Sequence, residues 1–135
     1  MILLLILLLL SSPCFAMTTG TLNSSGAMSL GEETAADATS ITPSGNFTAT
    51  YQSNSQSVGT LTMNAPTNAG KENQSLMIII TSTNVQTFSW NSAYEGGAVA
   101  LPTVTTGSSK TDYFPFIYST HLSKWVSTSP GVGGF

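Results

Sequence analysis

The run of five apolar residues 76–80, Leu-Met-Ile-Ile-Ile, constrains the fold of this chain more than any other feature. Its neighbours Ser75 and Thr81 are polar, so the apolar run is short and bounded on both sides. A run of this kind is typical of a middle strand that is covered on both faces. We therefore expect residues 76–81 to form the central strand of a sheet, covered by a second sheet or by a neighbouring subunit.

Further strands are predicted where side chains alternate between polar and apolar. The predicted strands are 46–52, 58–63, 85–90, 98–106, 113–118 and a short return at Trp125. In the first of these, Phe47, Ala49 and Tyr51 share one face, and the linker 53–56 suits a hairpin to the next strand. In residues 85–90, Trp90 shares a face with Gln86 and Phe88, and we expect it to be buried beside the central strand.

Turns and prolines divide this pattern. Residues 64–73 and 91–97 are predicted loops, because Pro, Gly, Asn and Ser interrupt them. Pro102 and Pro115 have no amide hydrogen to donate, so each indicates a strand edge or a bulge. A turn through residues 119–123 returns the chain to Trp125.

The sequence therefore predicts an all-β fold, either a small antiparallel β-sandwich or a jelly-roll-like barrel, with a poorly structured N-terminal segment. The predicted divisions are a leader at 1–16, a polar lead-in at 17–45, the β domain at 46–128 and a flexible tail at 129–135. The leader is almost wholly Leu and Ile up to Leu10. It is either the apolar part of a signal peptide or translated sequence upstream of a true start at Met17.

Charge excludes one class of function. Only 7% of the residues are charged, the formal net charge is −3, and the cations are Lys71, Lys110 and Lys124 with no arginine. Three lysines cannot form the basic stripe that phosphate neutralisation requires, so nucleic acid is not an expected partner.

Cys14 is the only cysteine. We therefore expect no disulfide in the domain, whose stability must come from packing or association.

No catalytic, cofactor or metal site is predicted. His121 is the only histidine, and neither a nucleophile elbow nor a partner for it beyond Asp112 is visible. Glu32, Glu33 and Asp37 are close in sequence, but they lack the alternating oxygen ligands of a calcium loop.

A weak ligand-contact site is the sharper hypothesis. Tyr94 stands in the polar loop 91–97, where its ring could stack on a sugar while Asn91 and Glu95 accept hydroxyl hydrogen bonds. The aromatic residues Tyr113, Tyr118 and Trp125 could join this platform. The competing and favoured interpretation is that these aromatics belong to the core or to subunit contacts.

The order of short motifs between residues 59 and 126 adds a resemblance. The motifs are Gly-Thr-Leu-Thr at 59–62, Asn-Ala-Pro-Thr-Asn at 64–68, the apolar run at 76–80, Thr-Phe-Ser-Trp at 87–90, Gly-Gly at 96–97, Leu-Pro-Thr-Val-Thr at 101–105, Phe-Ile-Tyr at 116–118 and Lys-Trp at 124–125. In this order they resemble a small β module of tail-fibre and other virion proteins of tailed bacteriophages. Related modules often have an Asp-Gly or Asn-Gly turn where this chain has residues 119–123.

The resemblance implies a noncatalytic structural module of a virion, of the tail-fibre or appendage kind, in contact with other virion proteins and the host surface. It implies no cofactor, and it implies a homo-oligomer, with the trimer as the state known from many phage fibres. The low charge of the chain also favours association, because few charged side chains protect the strand edges. The alternative function is a secreted bacterial carbohydrate-binding or adhesin domain, reached through the leader.

Overall fold

The structure is a computed structural model, and it describes residues 31–68, 70–131 and 133–135. The leader predicted at 1–16 and the part of the lead-in up to residue 30 lie outside these residues. In the described part of the chain there are nine strands and no helix, so the all-β prediction is confirmed there. It follows that no described helix is long and apolar enough to cross a membrane.

The nine strands belong to two sheets. In chain order they are β1 (Glu32–Ala35), β2 (Ser40–Ile41), β3 (Ala49–Asn54), β4 (Gly59–Met63), β5 (Ser75–Ser82), β6 (Gln86–Trp90), β7 (Tyr94–Glu95), β8 (Lys110–Ser119) and β9 (Lys124–Ser127). The six-stranded sheet has the order β1-β3-β5-β8-β9-β7, and the three-stranded sheet has the order β2-β4-β6. The polar lead-in predicted up to residue 45 therefore contributes β1 and β2.

The first six strands alternate between the two sheets. β1, β3 and β5 lie side by side in parallel in the larger sheet, and β2, β4 and β6 do the same in the smaller one. The chain thus winds through three successive coils, and each coil adds one strand to each sheet. Because the chain crosses to the opposite sheet after every strand, it returns to the first sheet running in the same direction.

This winding corrects two expectations. The hairpin predicted at residues 53–56 is wrong, since β3 and β4 lie in different sheets and the turn carries the chain across the core. Among the nine strands, the antiparallel pairing expected throughout holds only for β5 with β8 and for β8 with β9. Alternating side chains indicate that a strand has one buried face, but they do not indicate the direction of its neighbour.

The central strand is where the sequence predicted it. β5 lies between β3 and β8, and Leu76, Ile78 and Ile80 are at most 1% exposed. Met77 and Ile79 face the other side of the sheet and are half-buried. The run of five apolar residues therefore serves both faces, as predicted, although the outer face is only partly covered.

One apolar core lies between the sheets. Its buried members are Ile41, Leu61, Met63, Leu76, Ile78, Ile80, Phe88, Tyr94, Phe114, Phe116 and Trp125. Aromatic rings fill its centre: the rings of Trp90 and Phe116 are 5.5 Å apart, and those of Tyr94 and Phe116 are 5.2 Å apart. Trp90 faces the core from β6 in the smaller sheet and is half-buried, so its predicted burial is incomplete.

The remaining segments complete the two sheets. Residues 103–105 run antiparallel to β6, with the amide of Phe88 donating to the Thr103 carbonyl at 2.9 Å. Pro102 lies just outside this pairing, in agreement with its missing donor. β8 and β9 form the predicted aromatic hairpin, and the turn between them contains Ser123 in the left-handed region at φ 54°. At the end of the tail, Phe135 and Thr111 exchange both main-chain hydrogen bonds.

Candidate functional site

The residues predicted to contact a ligand do not form an aromatic platform. Tyr94 belongs to β7, which pairs with β9, and it is only 4% exposed. Its ring packs against Trp90 at 5.0 Å, and its hydroxyl donates to the main-chain carbonyl of Asn64 at 3.1 Å. The expectation of an exposed tyrosine at a loop tip is therefore wrong, because Tyr94 pairs with β9 and so belongs to the sheet.

The burial of Tyr94 also changes its acidity. Removal of the side chain from water disfavours the phenolate, so the pKa of Tyr94 is raised above its ordinary value. The hydroxyl remains a neutral donor to the carbonyl of Asn64. The ring of Tyr94 is part of the core, where it packs against Trp90 and Phe116.

Asn91 and Glu95 are closer to the surface, but both already have partners within the chain. The side-chain oxygen of Asn91 accepts a hydrogen bond from the amide of Ala93 at 2.9 Å. Glu95 forms an ion pair with Lys124 at 2.7 Å. The hydrogen bond from Lys124, followed by its positive charge, lowers the pKa of Glu95. The two side chains of this pair are 42% and 36% exposed, so solvent screens the pair and it contributes little to stability.

The other aromatic candidates are divided between the core and the surface. Trp125 is buried and Tyr118 packs against it at 5.2 Å, which agrees with the interpretation of these two residues as core. Tyr113 points to the opposite face of β8 and is 37% exposed. Its ring lies 6.1 Å from that of Phe135. The three aromatics therefore offer no common stacking surface.

The imagined catalytic pair is not brought together. His121 is exposed in the turn after β8, whereas Asp112 is buried near the opposite end of that strand. Both carboxylate oxygens of Asp112 accept hydrogen bonds from Thr106, at 2.5 and 2.7 Å. This arrangement gives His121 no carboxylate from Asp112 to orient it as a base.

Two acidic residues of the lead-in, Glu33 and Asp37, accept hydrogen bonds from other residues of the chain. Glu33 accepts hydrogen bonds from the amide of Ser44 at 2.5 Å and from the hydroxyl of Thr50 at 2.7 Å. The pKa of Asp37 is lowered by hydrogen bonds from Gln56 and then Ser55. Across residues 31–68, 70–131 and 133–135, no three His, Cys, Asp or Glu side chains are grouped so that they could hold a metal ion.

A buried polar network is the feature that sequence reasoning missed. On β3 the inward side chains are Thr50, Gln52 and Asn54, each at most 1% exposed, while Ala49 and Tyr51 lie on the outer side. The predicted alternation is therefore confirmed, but the polar face is the buried one. An amide on an alternating strand usually faces water, so the local pattern favours the wrong face of β3 as the buried one.

The buried side-chain amides of Gln52 and Gln86 donate hydrogen bonds to main-chain carbonyls in the turn of the preceding coil. The Gln52 side chain donates to the carbonyls of Ala36 and Ala38 at 2.7 and 3.2 Å, where the chain turns from β1 to β2. One coil later, Gln86 lies within 3.1 to 3.3 Å of three carbonyls, those of Gln56, Ser57 and Asn84. These amides donate to carbonyls of the turns, and so they attach each coil to the next.

Gln86 has one atom that is not used in this way. Its side-chain oxygen is buried and has no hydrogen-bond partner among the described residues. Nearby, the Ser82 hydroxyl donates to the Thr105 hydroxyl oxygen at 2.9 Å, and that oxygen also accepts from the main-chain amide of Gln86 at 3.0 Å. The interior is thus polar at one end of the strands and aromatic at the other.

The outer face of the six-stranded sheet has the opposite character. We use this name for the side chains of β3, β5, β8 and β9 that point away from the core. Its central members are Ala49, Tyr51, Met77, Ile79, Tyr113, Pro115, Ile117 and Val126, which neighbour one another through the strand register. They are half-buried or exposed, with Ile117 40% exposed. None of these eight residues is charged.

Comparison of the chain with models of protein families, with curated proteins and with solved structures found no match.

Proposed function

We propose that this chain is a noncatalytic structural module of a bacteriophage virion, of the tail-fibre or appendage type, and that it works as a homo-oligomer. The proposal takes its biological setting from the resemblance of residues 59–126 to such modules. The domain would be a small two-layer sandwich with mainly parallel strands. Its position would be on the particle, in contact with other virion proteins and with the host surface.

The observation that carries the proposal is the outer face of the six-stranded sheet. Soluble monomers rarely expose contiguous apolar patches larger than a few hundred Å². Tyr51, Ile79 and Tyr113 form one row across three strands, and Met77 and Pro115 lie in the neighbouring row. None of these five residues is charged. These central residues bring no like-charge repulsion against a copy of themselves, so they suit self-association. A stable interface needs about 800 Å² from each partner, which corresponds to much of one sheet face.

The interior supports a structural role as well. The buried amides of Gln52, Asn54 and Gln86 hydrogen-bond to the turns of the chain itself. Their polarity is used to stack the coils and not to bind a ligand in the core. The burial of Tyr94 removes a stacking surface that would have favoured the alternative, a secreted carbohydrate-binding or adhesin domain. That alternative also rests on the leader, which lies outside the described residues.

Light scattering on residues 17–135 at micromolar concentration tests the association. We expect an oligomer, with three copies as the number suggested by the resemblance. Ile117→Lys introduces a charge into the outer face and should give a folded monomer. Val58→Lys is the matched control, because Val58 is 75% exposed in the turn before β4, and this variant should remain oligomeric.

A stable monomer of the unaltered chain would overturn the association. The biological setting has a separate test, in which phage particles released from the source culture are purified by density and analysed by mass spectrometry. Peptides of this chain should be found with the particles. Their recovery from the culture supernatant alone would favour the secreted alternative.

A further inference from the structure

We propose that a cavity beside the start of β8 binds a small organic ammonium ion, that is, a primary amine on a short aliphatic chain. This site is separate from the outer face and does not depend on the proposed virion role. It combines a carboxylate that has no cationic partner with apolar walls of suitable size.

The cavity has a volume of about 500 Å³. This volume lies within the range of small-molecule sites, about 300–1,000 Å³. One wall is the segment that follows β7, with Leu101, Pro102 and Val104, and another is β8, with Asp112 and Phe114. The tail forms the remaining side through Pro130, Gly131 and Gly133. Residues distant in the sequence therefore build this space together, and Val104 at its rim is 49% exposed.

Asp112 supplies the charge. Its side chain lines the cavity, yet the residue is only 3% exposed. It accepts two hydrogen bonds, both from Thr106, whereas an ionised carboxylate has about four acceptor positions. In the described part of the chain, the single ion pair is the one between Lys124 and Glu95. A bound cation would supply the positive charge that no described side chain places beside this carboxylate.

The tail is shaped to fit against this carboxylate. A Cβ atom on Gly133 would lie 1.8 Å from Oδ1 of Asp112, so a side chain here would displace that carboxylate. Gly131 has φ +90° and lies against the ring of Phe114. The pairing of Phe135 with Thr111 then fixes the end of the tail along β8. The tail thus encloses Asp112 without providing a positive charge.

The lining selects the class of ligand. Asp112 repels anions, and a divalent metal would need more oxygen ligands than one carboxylate. An ammonium group matches the site better, since it donates to the free acceptor positions of Asp112 and brings the missing charge. Its aliphatic chain would lie against Leu101, Pro102 and Val104, and the Phe114 ring extends this apolar wall.

Titration of the full ¹⁵N-labelled chain with n-butylammonium, followed by NMR, tests this site. The amide signal of Thr106 should move and saturate, because that amide donates to Asp112. The neutral isostere n-butanol should bind at least about tenfold more weakly, as expected for the loss of a hydrogen bond to a charged group. This comparison uses the unaltered chain and does not depend on the folding of a variant.

Two variants assign the effect to the carboxylate. Asp112→Asn keeps the size of the side chain and should also weaken n-butylammonium binding by about tenfold or more. Asp37→Asn changes an exposed carboxylate that is likewise hydrogen-bonded, and it should leave binding unchanged. The proposal is overturned if Thr106 shows no saturable shift, if n-butanol binds as well as the amine, or if folded Asp112→Asn binds as well as the unaltered chain.

Discussion

Replacement of Gln52 by methionine tests the buried polar network most directly. The two side chains have similar length and volume, so the change removes hydrogen bonds without opening a large cavity. Gln52 is 0% exposed, and its amide donates to the carbonyls of Ala36 and Ala38. Its oxygen accepts from the side chain of Asn54 at 3.1 Å. Gln52→Met therefore removes three hydrogen bonds from the interior.

The cost follows from these contacts. A buried hydrogen bond contributes about 1 kcal/mol net, so three of them amount to about 3 kcal/mol. The carbonyl of Ala38 retains its bond from Asn54 at 3.1 Å, and the apolar side chain is itself favoured in the interior. We expect a net loss of about 2–3 kcal/mol. That loss is large against a total stability of about 5–15 kcal/mol.

Urea unfolding followed by the fluorescence of Trp90 and Trp125 measures this loss, at one protein concentration for all variants. With a slope of about 1–3 kcal/mol per molar urea, the midpoint should fall by about 0.7–3 M while the slope stays the same. Val58→Met is the control, because Val58 is 75% exposed in the turn before β4 and lies outside the outer face. The free energy of unfolding of this control should change by less than about 0.5 kcal/mol. Equal midpoints for the two variants would refute the buried network.

Two further predictions concern aromatic side chains. Trp90→Ala should cost about 3–5 kcal/mol, because it removes ring contacts with Phe88 and Phe116 and the hydrogen bond from the indole to the Pro102 carbonyl at 2.7 Å; an unchanged melting temperature would contradict the packing of this ring. The raised pKa of Tyr94 means that, above about pH 10, the unfolded chain loses a proton that the folded chain keeps, so stability should fall as the pH rises further. Urea midpoints at pH 8 and pH 11 should then differ less in Tyr94→Phe than in the unaltered chain, and an equal pH dependence would show that this tyrosine is not protected.

The candidate site shows where prediction from sequence ended. Tyr94 stands among Asn, Ser and Gly residues, and such surroundings indicate an exposed loop. Its burial depends on the parallel pairing of β7 with β9, about thirty residues away in the chain. The cavity beside Asp112 likewise needs three segments that only the folded chain brings together. A local pattern carries no information about either arrangement.

The sequence by itself determined the all-β class, the central position of residues 76–80 and the aromatic hairpin that ends at Trp125. Each of these depends on local chemistry, since β-branched and apolar side chains in short alternating or continuous runs favour extended strands. The direction of pairing and the choice of buried face on β3 were decided only by the tertiary structure. Gln52 and Asn54 point inward because the turn carbonyls of the preceding coil need donors there. That need arises only when the coils are stacked, since in the unfolded chain water satisfies the same carbonyls.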